Sequence, residues 1–437
     1  MKRPKLGVFL FVAFLLAYLL FLKYHYSTSK ASNFRPPPHA ESNLARAGDD
    51  RPVSADGLDF QYGIMFDAGS TGTRVHIFKL QMKNKEPPTV DHETFKAIKP
   101  GLSAYADDPE KCAAGIQELL DVAKSSVPPS MWAKTPLVLK ATAGLRLLPG
   151  EKAKQLLEKV RQIFHESPFL SRDDSVSIMD GTDEGISAWI TVNVLIGGLS
   201  RADLTTVGML DLGGGSTQIT FSPRDEKTIQ MSPIDFIRSF QMFDRTHTLL
   251  LWSGCCKKLP LTVSLVFLCV RSIGGSTELV SPCLPPQYSG RWEHADVVFT
   301  VKGQKAGEPV FETCLTRVQK VLYGKIKRVS EVVSMDFYAF SFYYDRAVNL
   351  GIIDEKMGGA IRVSDYTDAA RRVCSGPSAE PQQNPFLCLD LVYISVLLQE
   401  FGFPPHQQLR LARTINQVET SWALGATFNY METLRGS

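Results

Sequence analysis

Phe66-Asp67-Ala68-Gly69-Ser70-Thr71-Gly72-Thr73 and Leu210-Asp211-Leu212-Gly213-Gly214-Gly215-Ser216-Thr217 are two statements of one pattern. Each begins in an apolar run that ends on an aspartate, passes through a turn of glycines and hydroxyls, and leaves on a second apolar run. Residues 62–66 and 207–211 read as the incoming strands, 74–80 and 218–221 as the returning ones. The copies lie 211 − 67 = 144 residues apart, far enough for each to anchor a lobe of its own. Between them, 136–141 reads as a strand, while 151–165 and 185–196 carry helical periodicity. Strands alternating with helices define an α/β architecture. The expectation is two similar lobes, each presenting one hairpin loop to a shared cleft.

Such loops suit phosphate chemistry. Glycines in a tight turn let backbone N–H groups converge on an anion, because no Cβ blocks the approach. Ser70, Thr71, Gly72, Thr73 and Arg74 in the first copy, and Gly213, Gly214, Gly215, Ser216 and Gln218 in the second, are the candidate phosphate contacts. Asp67 and Asp211 would repel a phosphate unless a hard divalent cation, Ca²⁺ or Mg²⁺, stood between them, held through water. One such loop alone reads as an ordinary Gly-rich hairpin. The pair turns the reading toward a polyphosphate clamp.

Two further segments add chemistry. In Lys140-Ala141-Thr142-Ala143-Gly144-Leu145-Arg146, Thr142 is placed to touch a phosphate or a metal-bound water, and Arg146 to neutralise developing charge. Alone, this run is an N-capping threonine with a solvated arginine. Gly181-Thr182-Asp183-Glu184-Gly185 precedes the helix containing Trp189, and an acidic residue at a helix start usually serves the helix dipole. Hydrolysis needs a carboxylate to deprotonate water for in-line attack, and by chemistry alone Glu184 and Asp183 qualify equally.

Composition sets the class. A chain of 437 residues, 44% hydrophobic and 21% charged, has room for two lobes and an ordinary core. A net charge of +3 is too small to make a case for nucleic acid. Residues 7–22 are uncharged and apolar, preceded by Lys2, Arg3 and Lys5. They read as an uncleaved signal anchor, with a cleaved signal peptide as the rival. The flanking charge sets a type II orientation, cytoplasmic tip and anchor over 1–26. Pro-rich 27–57 reads as a stem, whose cleavage would release a soluble form. The lobes then span 58–202 and 203–416, and 417–437 forms a C-terminal helix returning to the first lobe. Of eight cysteines, Cys283 with Cys314 and Cys374 with Cys388 are the expected bridges, suited to an oxidising lumen. Nothing in the sequence specifies an oligomeric state.

Five segments together (67–74, 140–146, 181–185 with Trp189, 211–218 and 338–344), with the run Glu419-Thr420-Ser421-Trp422-Ala423-Leu424-Gly425, resemble the apyrase regions of the nucleoside triphosphate diphosphohydrolase family. The single anchor resembles the Golgi-type nucleoside diphosphatase branch. The resemblance implies a two-lobed actin-like, ribonuclease H-like ATPase fold with its active site between the lobes. It makes Glu184 the catalytic base, Asp67 and Asp211 the aspartates that hold metal through water, and Tyr344 the ring that stacks on the nucleobase. It also implies a Golgi-membrane enzyme with a lumenal body, hydrolysing nucleoside diphosphates of the GDP, UDP and IDP class, triphosphates less well. Residues 247–273 depart from the family pattern: Leu249-Leu250-Leu251-Trp252-Ser253-Gly254-Cys255-Cys256 leads into a 12-residue apolar run over 259–270. That departure keeps open a non-catalytic nucleotide-binding form. An exopolyphosphatase or sugar kinase would use the same clamp.

Overall fold

The computed structural model describes residues 59–83, 86–200, 205–255, 271–272, 277–294, 297–305, 307–375 and 384–436. All belong to one compact unit, Pro52–Ser437. The expected anchor over 7–22, the stem over 27–57 and the apolar run over 259–270 lie outside them.

The first sheet is built from β1 (Phe60–Ala68), β2 (Thr73–Gln81), β3 (Thr89–Ile98), β4 (Leu137–Ala141) and β5 (Val176–Ile178), in the spatial order β3-β2-β1-β4-β5. The first three strands form an antiparallel meander, and β4 and β5 add in parallel beside β1. Helices α1 (Cys112–Ser126) and α2 (Gly150–His165) cover its outer face. Helix α3 (Gly181–Leu195) leaves the sheet after β5.

The second lobe opens the same way with β6 (Gly208–Leu212), β7 (Ser216–Phe221), β8 (Ile237–Met242) and β9 (Arg245–Cys255). A small sheet follows, from β10 (Arg271–Ser272), β11 (Glu278–Ser281), β12 (Ser289–His294) and β13 (Val297–Gly303). The chain then returns through helix α4 (Val310–Leu322) to β14 (Phe337–Ser341), β15 (Gly359–Arg362) and β16 (Gln408–Leu411). The large sheet reads β15-β16-β14-β6-β7-β9-β8. Its β9-β7-β6-β14-β16 portion repeats the order and strand directions of β3-β2-β1-β4-β5. The sequence repeat is therefore a repeat of topology. Helices α5 (Phe342–Asn349), α6 (Val363–Ser375) and α7 (Leu387–Phe401) complete this lobe. Disulfides join Cys283 to Cys314 and Cys374 to Cys388, tying loop to helix and helix to helix.

Side-chain alternation along each strand explains the layering. On β1, Ile64, Phe66 and Ala68 enter the outer core under α1 and α2, while Met65 faces the other way. On β6, Leu210 and Leu212 join the second lobe's outer core, and Met209 faces the other way. The two inward faces close on a central cluster that holds Trp189 and Val192 of α3 and Ala423, Leu424 and Phe428 of the last helix, α8 (Ala423–Gly436). Helix α8 lies against α3 and β1. A Cβ on Gly425 would sit 2.0 Å from the Ser187 carbonyl oxygen, and the Gly425 amide donates to Thr191 Oγ1 at 2.9 Å.

The described part of the segment expected to depart from the family pattern, 247–255, enters the large sheet within β9, paired antiparallel with both β7 and β8. Leu249, Leu250 and Leu251 are buried there, and the Trp252 ring meets Phe401 at 5.1 Å. Leu250 enters one core and Leu249 and Leu251 the other, so both faces of this strand are covered, the setting in which a continuous apolar run is favoured over alternation.

Candidate active site

Asp67 and Asp211 occupy one register position in the two lobes. Asp67 lies opposite Arg74 across β1 and β2, and Asp211 opposite Gln218 across β6 and β7. Each stands two residues beyond an inward-facing methionine, Met65 or Met209, so alternation sends both carboxylates toward the centre. The turns match as well: the Gly69 amide donates to the Gly72 carbonyl at 3.1 Å, and the Gly213 amide to the Ser216 carbonyl at 2.9 Å. The loop tips then meet. A Cβ on Gly214 would stand 2.9 Å from Ser70 Oγ, and one on Gly215 would stand 2.6 Å from the Ala143 Cβ. Glycine is what permits this approach.

The loops open into one cavity of about 430 Å³, a size that holds a small ligand. Of the residues singled out in the sequence, Asp67, Ser70, Thr71, Arg74, Thr142, Glu184, Asp211, Gly213, Gly214, Gly215, Ser216 and Tyr344 line it. Four others stand back from it. Gly72 backs onto β3, where a Cβ would lie 2.9 Å from the Ile98 carbonyl oxygen, and Thr73 is buried in the ladder between Ala68 and Ile98. Arg146 reaches the site only through Glu184. Gln218 is buried behind the cavity, beside Gly185, with both amide atoms lacking a protein partner.

Glu184 owes its place to the start of α3. The Asp180 side chain accepts from the Thr182 and Asp183 amides at 2.7 and 2.8 Å, an N-cap that starts the helix at Gly181 rather than at 185. Glu184 thus falls in the first turn, facing the cleft. Asp183 faces elsewhere, into a separate cavity of about 480 Å³ shared with Lys140 and Tyr430. The Glu184 carboxylate meets Arg146 Nη2 at 2.7 Å and accepts from Ser216 Oγ at 3.3 Å. Three buried carboxylates crowd the site. Burial pushes Glu184 up to about 8, opposed by Arg146 and reinforced by the Asp211 charge. Burial raises Asp211 to about 6, against a hydrogen bond from Ser341, and raises Asp67 against the Arg74 guanidinium at 3.0 Å.

The donor set fits a hard cation. Asp67 Oδ1 and Asp211 Oδ1 are both buried with no protein partner, and such groups call for water or an ion. Among the described residues no three His, Cys, Asp or Glu side chains gather as a direct ligand shell.

Other cavity residues escaped the sequence reading, among them Phe95, Asp345 and Arg413. Ser341 ends β14 at φ +56°, ψ −129°, a region that disfavours side chains. It stands beside the Phe342-Tyr343-Tyr344 run, yet no local sequence cue marks a strained backbone. Tyr344 is buried, and its hydroxyl donates to the Glu355 carbonyl.

Two lobes of one topology that close paired glycine hairpins over a carboxylate-rich cleft define the two-lobed, actin-like fold class. The model of the GDA1/CD39 (nucleoside phosphatase) family matches residues 54–436, and the chain belongs to that family. Ectonucleoside triphosphate diphosphohydrolase 6 from Homo sapiens is 52% identical over 439 residues, covering 98% of this chain and 88% of that protein. Nucleoside diphosphate phosphatase ENTPD5 from Homo sapiens is 48% identical over 377 residues, covering 85% of this chain and 88% of its own length. Among solved structures, nucleoside triphosphate hydrolases from Neospora caninum superpose with a TM-score of 0.63 at 15% identity, covering 85% of this chain and 93% of theirs, a likeness of fold.

Proposed function

We propose that this nucleoside phosphatase hydrolyses nucleoside diphosphates, with triphosphates accepted less well, to the monophosphate and inorganic phosphate, using Ca²⁺ or Mg²⁺. The observation that carries the reading is Glu184, buried at 6% exposure and facing the cavity into which both hairpin loops open. A polyphosphate lies along the loops, with Ser70, Thr71 and Ser216 donating to its oxygens. Glu184 takes a proton from the attacking water. The water oxygen bonds to the terminal phosphorus, and the bridging P–O bond breaks with its electron pair leaving on the monophosphate. Arg146 fixes the orientation of the Glu184 carboxylate, and Ser216 Oγ sits where it can also hold the water. When bound through water at Asp67 and Asp211, the cation offsets the negative charge of the phosphate chain. Tyr344 offers its ring to the base.

The protein is anchored through residues 7–22 with its catalytic body in the Golgi lumen. Phosphate release from a panel of GDP, UDP, IDP, ADP and GTP with each cation tests the reading. Glu184→Gln lowers kcat on GDP by about 10²–10⁴-fold, the usual worth of a general base. An unchanged rate would remove Glu184 from that role.

A further inference from the structure

The cavity of about 480 Å³ that Asp183 faces shares no lining residue with the active-site cavity. Four elements build it. Lys140 on β4 and Ser177 on β5 are register neighbours. Asp183 and Ser187 lie one turn apart on α3, and Ala426, Tyr430 and Thr433 share a face of α8. Val176, Met179 and Ala426 are buried and give the cavity an apolar floor.

Most of the charge on this wall is already matched. Arg161 holds Glu158 and the Val176 carbonyl, each at 2.9 Å. Asp174 accepts from the Tyr430 hydroxyl at 3.0 Å, and Asp173 stands in solvent 3.6 Å from His165. Lys140 and Asp183 are left. The Lys140 ammonium donates to Ser177 Oγ at 2.7 Å and lies 5.9 Å from the centre of the Tyr430 ring. Among the described residues no carboxylate comes within ion-pair distance of it. Among the same residues the Asp183 carboxylate has neither a cation at that distance nor a hydrogen-bond donor. Burial works against both charges, lowering Lys140 and raising Asp183, so each gains from an opposite charge brought into the cavity.

We propose that this cavity binds a free α-amino acid with an aliphatic side chain, its carboxylate on Lys140 and its ammonium on Asp183. The side chain lies on the apolar floor. A cavity of this volume holds a small ligand. A simple anion would meet the charges of Asp174 and Asp183, and a simple cation would meet Lys140. A ligand carrying both signs on neighbouring carbons leaves neither protein charge opposed. Asp183 adjoins Glu184, and Lys140 lies two residues before Thr142. An occupant therefore ties β4 to the start of α3, behind the side chains that these two elements send to the active site.

The test is calorimetry on the full chain with leucine, N-acetylleucine, which lacks the ammonium, and leucinamide, which lacks the carboxylate. Leucine should bind, and each blocked form should bind about ten- to 150-fold more weakly, the worth of a hydrogen bond to a charged group. Lys140→Met should weaken leucine by a similar factor and leave leucinamide unchanged. Asp183→Asn should weaken leucine and leave N-acetylleucine unchanged, the pattern that assigns each charge to its partner. Either blocked form binding as tightly as leucine overturns the proposal. So does leucine affinity that neither substitution alters, or the absence of heat at about 10 mM leucine, which would fill even a millimolar site. Should a variant fail to fold, the three ligands on the wild-type protein decide the matter by themselves.

Discussion

At the residue scale, the site is a problem of charge held out of water. Glu184, Asp67 and Asp211 are all raised by burial. A carboxylate whose folded pKa exceeds its unfolded value stabilises the fold below the unfolded value, and that stability disappears as pH rises through the folded one. For Glu184 the window runs from 4.5 to about 8. Without divalent cation, thermal denaturation should therefore give a falling Tm from pH 5 to pH 8, and Ca²⁺ should raise Tm more at pH 8 than at pH 5. A metal-free Tm that is flat across this window would show the carboxylates to be solvated. The same shift shapes catalysis: kcat/KM on GDP should rise with pH along a limb ending near or below 8, because the base must be unprotonated and the cation favours that form. Arg146→Ala leaves Glu184 buried without its 2.7 Å partner, so it should depress kcat and lower Tm together.

At the scale of elements, two close approaches set the geometry. A Cβ at Gly215 would lie 2.6 Å from the Ala143 Cβ, a methyl held on the backbone with no room to swing aside. Gly215→Ala should part the loops and cut kcat/KM at least tenfold while moving Tm by only a few degrees, since it sits at a loop tip. A Cβ at Gly425 meets the Ser187 carbonyl oxygen at 2.0 Å in the helix that carries Glu184. Gly425→Ala should therefore destabilise by about 1–3 kcal/mol through overpacking, read as a lowered denaturation midpoint. The hairpins were legible in the sequence because glycine, hydroxyl and terminal aspartate recur at one spacing. The start of α3 was less so: residues 181–184 read as preceding a helix that begins at Gly185, and the Asp180 cap brings them into its first turn. Arg413 was invisible, a lone arginine in a polar stretch brought to the cavity by a two-residue turn far along the chain.

At the scale of the molecule, duplication explains why one cleft exists. Two sheets of matching strand order face each other across α3 and α8, so equivalent loops converge, and alternation puts both aspartates on the facing sides. Topology was readable as a repeat, and the C-terminal helix was expected to return to the first lobe, where it packs on β1; its position sandwiched between both lobes was not legible, because its apolar residues run nearly all round the helix. In segment 247–255, expected from the sequence to depart from the family pattern, three leucines are buried in two different cores, so the strand slot accepts them as core residues. The central claim is that both hairpins grip one phosphate chain, and calorimetry with a non-hydrolysable GDP analogue and Ca²⁺ tests it most directly. Ser70→Ala and Ser216→Ala should each weaken binding by about ten- to 150-fold, the worth of a hydrogen bond to a charged group. Wild-type affinity in either variant would mean that the two loops do not share a ligand.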